Sequence, residues 1–277
     1  MTPSVWTKSR RRHARNSGDD ILSLLQDRND GNIEAVVFEC LADSVTDERV
    51  MSLMRVLGWK DDFSCFAIAG TPVEGYAATV KQVRAAVHNL GSEQCLFGQR
   101  DSVCVALIAV HSAVTPEVTC TAVSSAFSSD SPLCLGPVRS GVEGASRAVC
   151  GVLYALAATP AMPQLPRPMR TDDVLPERAL LGDHDARDEL YSTVYLSLKG
   201  TNADDPTLST VTTFLRSGNS LETTAKELNV HPNTVRYRLK RASETTGWDA
   251  TDPREAYVLQ TAIAIGLMYD AQQLKRA

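Results

Sequence analysis

No apolar run in the 277-residue chain comes near the roughly 18 residues that a membrane-spanning helix needs. The basic opening MTPSVWTKSRRRHARNSG is followed by no apolar stretch of the kind a secretory signal carries. These two absences lead to the expectation of a soluble cytoplasmic protein that does not meet a membrane. The seven cysteines never form a C-x-x-C pair, and the five histidines have no zinc-like spacing. Neither a disulfide framework nor a structural metal is therefore expected, and the cysteines read as small buried hydrophobes in a reducing compartment. There is also no P-loop, no dinucleotide fingerprint and no G-x-S-x-G elbow. No cofactor and no enzymatic activity are expected.

What the chain does have is an ordinary globular composition, 43% hydrophobic and 22% charged, with a formal net charge of -5. One or two domains are expected from the length. A net negative charge argues against a general attraction to nucleic acid but leaves local basic patches open. Residues 1–18 carry Lys8, Arg10, Arg11, Arg12 and Arg15 without an acid and read as a flexible basic tail. Within 19–62, ILSLLQ and RVMSLMRVLG have helical spacing around AVVFECL, an apolar run short enough to be a strand.

From about 63 the pattern alternates. FSCFAIAG reads as a strand, YAATVKQVRAAVHNLG as an amphipathic helix, and QCLFGQRDSVCVALIAV as two strands split by a turn. A helical segment near 115–128, a strand LCLGPV and a helix GASRAVCGVLYALAA follow, before the proline-rich TPAMPQLPRP. This order predicts an α/β sandwich over 63–172. Residues 173–199 form a connecting helical region, with 177–199 expected as helix, and 200–277 an all-α C-terminal domain with its boundary near residue 200.

The C-terminal domain contains nine basic and nine acidic residues, yet four of the bases, Arg236, Arg238, Lys240 and Arg241, fall within six positions that hold no acid. Asp205 and Pro206 are read as opening one helix and Gly218 as closing it, with Leu208, Val211 and Leu215 on its inner side. Ser220 caps a second helix whose inner stripe is Leu221, Ala225 and Leu228. Only Asn229 and Val230 separate that helix from His231-Pro232, where the third begins. So short a turn implies steeply crossing helices, which is helix-turn-helix geometry.

Projected at 100° per residue, Val235, Leu239 and Ala242 of the third helix point inward. Asn233, Tyr237 and Lys240 point outward, flanked by Thr234, Arg236 and Arg241, while Arg238 lies near the buried edge. Trp248 reads as a clamp on a last helix capped by Asp252 and Pro253, whose Ala256, Leu259, Ile263 and Leu267 are expected to complete the core.

TAKEL, HPNTVRYRLKR and GWDATDPREA, in this order and spacing, resemble the C-terminal helix-turn-helix of the PucR/CdaR family of bacterial transcriptional regulators. The resemblance covers about sixty residues. It implies that the preceding α/β region is a degenerate GGDEF-like domain and that the helix 232–245 enters a major groove. It also implies that the purine-catabolism-type sensor of longer members has no room in the sixty or so residues ahead of the first strand. Active relatives of the GGDEF fold need acids on the first strand and a glycine-rich acidic hairpin. FSCFAIAG has no acid and the hairpin is FGQRDSV, so nucleotide-cyclase activity is not expected.

The expected function is sequence-specific binding of double-stranded DNA by a transcription regulator acting as a homodimer. Asn233, Thr234, Arg236, Tyr237, Lys240 and Arg241 are the DNA-contacting residues. Dimer contacts are expected within 177–199, through Leu180, Leu181, Leu190, Val194 and Leu198. The α/β domain would serve dimerisation or reception of a small-molecule effector of unknown identity. The alternative is a non-enzymatic module whose basic helix binds an acidic protein partner. A steep fall of affinity with salt favours DNA over that alternative.

Overall fold

The computed structural model describes residues 33–274 apart from 112, 201, 203 and 204. The basic tail 1–18 and the ILSLLQ segment fall outside the described residues. Contacts group the chain into two compact units, one of 33–156 with 166–169 and one of 157–165 with 170–274.

The first unit opens with α1 (Ile33–Ala42) and α2 (Glu48–Val56). Then come β1 (Ser64–Gly70), α3 (Tyr76–Asn89), β2 (Cys95–Arg100), β3 (Val103–Ala109) and α4 (Pro116–Val123). The unit continues with β4 (Leu133–Leu135), β5 (Arg139–Ser140), α5 (Gly141–Ala158) and the edge strand β6 (Met169–Arg170). The sheet runs β2-β3-β1-β4-β6, with β5 also paired to β1. β1 is central and antiparallel to β3, β4 and β5.

Every residue of β1 and β3 after the first is buried. Both strands read as continuous apolar runs because helices cover both faces of the sheet. Phe66, Ile68, Phe97 and Ile108 pack with Val83 and Val87 of α3 and Cys120 and Val123 of α4. On the other face Phe38 of α1 lies against Gly98, and Val152 of α5 approaches Gly136.

AVVFECL, short enough to be a strand, is the body of α1, in which Val36, Val37, Phe38, Cys40 and Leu41 are all buried. A helix buried on almost every side loses the one-sided periodicity that would have identified it. Glu34 ties this helix to the sheet edge, its Oε1 accepting the N–H of Phe97 at 2.8 Å. Ser146 of α5 donates to the Leu41 carbonyl at 2.7 Å. Cys40, Cys65, Cys104, Cys120 and Cys134 are buried, and burial raises the thiols of Cys65 and Cys104 to about 12. They serve as packing groups.

The second unit is helical: α6 (Leu175–Leu181), α7 (His184–Glu189), a π segment (Leu190–Tyr195) running into α8 (Leu196–Lys199), α9 (Thr207–Arg216), α10 (Leu221–Glu227), α11 (Pro232–Thr246) and α12 (Pro253–Leu274). The helix expected over 177–199 is thus divided. Gly182 ends α6 at φ 102°, and Asp183 both caps α7 and forms a buried ion pair with Arg178 at 2.8 Å.

Residues assigned to a connecting region pack in the same core as the C-terminal helices. Leu190, Val194, Tyr195 and Leu198 join Val211, Phe214, Val235, Leu239 and Leu259. Leu190, Val194 and Leu198, expected to make dimer contacts, are therefore used inside the protein, while Leu180 and Leu181 remain exposed. Leu267, expected in the core, is 53% exposed. On α12 the next turns inward are taken instead by Ile265 and by Gly266, which lies against the ring of Tyr195.

The close seat of α1 on β2 yields a stability prediction. A methyl at Gly98 would stand 1.9 Å from the Phe38 ring, so the helix must shift or the ring leave its rotamer. Gly98→Ala is expected to destabilise the chain by about 1–3 kcal/mol, the usual cost of overpacking. In urea unfolding this appears as a lower midpoint at unchanged slope, and an unchanged midpoint would contradict the packing described.

Candidate nucleic-acid interface

The C-terminal three-helix arrangement is set by local capping. The Asp205 carboxylate accepts the N–H of Thr207 at 2.9 Å and its hydroxyl at 2.6 Å, and α9 begins at Thr207, one residue later than the Pro206 expected from sequence. Its exit is sharp, with Gly218 and Asn219 both in the left-handed region at φ 72° and 63°. Ser220 caps α10 by accepting the N–H of Thr223, and the Ser217 and Thr224 hydroxyls meet at 3.0 Å across the turn. An Arg216–Glu227 ion pair ties α9 to α10.

α10 ends at Glu227 with Leu228 as its C-cap, the next residue Asn229 is again left-handed at φ 53°, and two residues later His231 caps α11. The His231 Nδ1 accepts the N–H of Asn233 at 3.2 Å, and Pro232 occupies the first turn, where its absent donor costs nothing. Sequence reasoning noted Gly218 but not the left-handed conformations of Asn219 and Asn229. Asparagine's tolerance of that region was the available signal.

Val235, Leu239 and Ala242 are buried, which fixes the rotation of α11 about its axis. Asn233, Arg236, Tyr237, Lys240 and Arg241 are exposed on its outer side and flanks, with Tyr237 66% exposed; Thr234 is partly covered. Arg238 turns inward, donating to the Thr210 hydroxyl at 3.3 Å.

The basic run is less free of acids than its sequence suggests. Arg241 pairs with Asp205 at 3.2 Å, and Lys240 lies 3.7 Å from Glu244, one turn on. Arg236 donates to the side-chain carbonyl of Asn233 at 2.6 Å. Trp248 packs partly buried against the helical core. Asp252 caps α12 by accepting the N–H groups of Arg254 and Glu255 at 2.8 and 3.0 Å. The Arg254 guanidinium grips both oxygens of Glu177 at 2.6 and 2.7 Å, an anchor between α12 and α6 that sequence reasoning missed.

Residues 207–265 match the PucR C-terminal helix-turn-helix domain, and residues 42–158 match the GGDEF-like domain. The crystal structure of a regulator of polyketide synthase expression from Bifidobacterium adolescentis is 59% identical in sequence. It superposes with a TM-score of 0.87 over 90% of this chain and 98% of that one. Uncharacterised proteins of Mycobacterium bovis and Mycobacterium tuberculosis are 30% identical over 251 residues, which is 86% of this chain. The chain spans 58% of the length of these mycobacterial relatives.

Asp205 supplies a pH-dependent test of this geometry. The hydrogen bonds from the Thr207 hydroxyl and N–H, together with the nearby Arg241 and Arg238 charges, hold its carboxyl below the usual value. A group whose folded pKa is depressed contributes stability above its unfolded pKa and loses it as pH falls through the folded value. In Asp205→Asn the amide oxygen can still accept from Thr207, but the titrating charge is gone. Denaturant midpoints of the wild type should therefore fall more steeply than those of the variant between about pH 5 and pH 3. Parallel acid limbs would show that the Asp205 contacts are not maintained in solution.

Proposed function

The chain belongs to the family of regulators that join a GGDEF-like domain to a PucR C-terminal helix-turn-helix domain, and from that membership we propose that it regulates transcription by binding specific sites on double-stranded DNA. One observation carries the reading. The side of α11 that is not buried presents Asn233, Arg236, Tyr237 and Lys240 together, on the helix that a helix-turn-helix uses to enter the major groove. Asn233 and Arg236, near the start of the helix, meet base edges. Lys240 meets phosphate, and Arg241 exchanges Asp205 for phosphate. Thr234 and Tyr237 complete the contact.

The same reading takes two copies, because one helix-turn-helix makes too few contacts to compete with nonspecific genomic sites. A homodimer would place its recognition helices on half-sites about 34–36 Å apart. Leu180, Leu181 and Leu196 are exposed apolar groups of the second unit available for such an axis. The GGDEF-like domain serves dimerisation or reception of a small-molecule effector.

The tests use the full chain. Affinity for a selected duplex should fall linearly with the logarithm of salt concentration, and Lys240→Ala should weaken all duplexes alike and reduce that slope by about 1. Asp205→Asn, which releases Arg241 from its internal partner, should bind DNA more tightly than wild type. Affinity insensitive to salt would favour an acidic protein partner over DNA.

The GGDEF-like domain is proposed to be regulatory. β1 (SCFAIAG) offers no carboxylate to a metal. At the end of β2, Arg100 pairs with Glu39 at 3.1 Å and Asp43 at 2.5 Å. Incubation with GTP and Mg²⁺ or Mn²⁺ should release no cyclic dinucleotide above a heat-killed control, and turnover surviving repurification would overturn this.

A further inference from the structure

We propose that Asn233 and Arg236 form a single unit that reads guanine, with Asn233 as the positioning residue; the inference rests on α11 lying in a major groove as proposed above. Arg236 lies one turn after Asn233, and its Nη1 donates to Oδ1 of Asn233 at 2.6 Å. The orientation of that amide is dictated by chemistry. A guanidinium carries only donors, so the carbonyl oxygen and not the NH₂ must face it. The Asn233 backbone is fixed as well, its N–H bound to Nδ1 of His231 at 3.2 Å.

A long arginine normally gives up rotamer freedom when it binds. Here part of that freedom is already lost in the unbound protein, and the guanidinium is held over the first turn of the helix. First-turn residues of a recognition helix are the ones that reach base edges.

The pairing also decides which base fits. With its carbonyl engaged, Asn233 has its two amide donors left, and Arg236 has the remainder of its donors. Guanine presents two acceptors, N7 and O6, in the major groove. Adenine presents one acceptor beside an amino donor, and an asparagine reads it by receiving that donor on its carbonyl. In this protein the carbonyl lies 2.6 Å from a cationic nitrogen, which repels an approaching amino group. Thymine offers a single acceptor beside a methyl group. A surface made only of donors is therefore satisfied best by guanine.

The test is selection of bound sites from a random duplex pool by the full chain and by Arg236→Ala, Asn233→Ala and Asn233→Asp, each checked for fold by circular dichroism. The wild type should select a G·C pair at a position that becomes indifferent in Arg236→Ala. Replacing that guanine by adenine should weaken wild-type binding roughly tenfold to a hundredfold. Asn233→Ala should shrink this ratio, whereas Asn233→Asp, which keeps an acceptor for Arg236, should retain the guanine at lower total affinity.

A measurement that needs no variant is substitution of 7-deazaguanine at the same position, which removes the N7 acceptor and should weaken the wild type. An Arg236-dependent position that is not guanine, a ratio unchanged in Asn233→Ala, or indifference to 7-deazaguanine would overturn the pairing while leaving DNA binding intact. A wild-type chain that selects no site would refute the DNA-binding reading, and this inference with it.

Discussion

Burial of Val235, Leu239 and Ala242 is the constraint on which the candidate interface depends. A buried leucine or valine contributes about 1.5–3 kcal/mol, whereas surface ion pairs contribute about 0–1 kcal/mol. The rotation of α11 is thus decided by its apolar stripe and not by the charges around it. Once that stripe is seated against the core of the second unit, the outer positions follow from helical geometry. Asn233, Arg236, Tyr237 and Lys240 cannot turn inward without exposing the stripe. The caps act on the same geometry: His231 at the start of α11 and Asn229 before it set where the helix begins, and so which residues occupy its first turn.

The charges have a different task. Each basic group on or beside the outer face has an internal partner in the unbound chain: Asp205 for Arg241, Glu244 for Lys240, the Asn233 carbonyl for Arg236 and the Thr210 hydroxyl for Arg238. These contacts hold the side chains in defined positions at small energetic cost. The Lys240–Glu244 pair and the Arg236–Asn233 bond are exposed and can be exchanged for phosphate or base acceptors without stranding a buried charge, whereas Arg238 is half-buried on the Thr210 hydroxyl. Asp205 couples this exchange to the fold, because the same carboxylate that holds Arg241 also caps α9.

In the first unit the sheet is filled from both faces, and its hairpin is held by acids of α1 and of the turn that follows it. Phe38 on Gly98, Glu34 on the Phe97 N–H and Glu39 with Asp43 on Arg100 make α1 an integral cover of β2. Glu39 and Asp43, close to the hairpin, are engaged with Arg100, and the central strand contributes no carboxylate.

Local signals were legible in the sequence. The alternation of strand and helix from 63 to 160, the Ser220 cap, the His231-Pro232 start and the inner stripe of α11 all depend on residues within one or two turns of each other. AVVFECL was not legible, because a run buried on nearly all sides has no periodic face. The helices from 175 to 199 were legible as helices, but which core they fill was not: Leu190, Val194 and Leu198 look like a free apolar face until α9 and α12 are set against them. The partners of the key charges were also hidden. Arg241 meets Asp205 across 36 residues and Arg254 meets Glu177 across 77. The sequence by itself determined the helix-turn-helix and the residues of its outer face, since period and capping are short-range properties. Only the tertiary structure decided which bases are already paired and which apolar residues are already covered, because both depend on segments that meet only when the chain has folded.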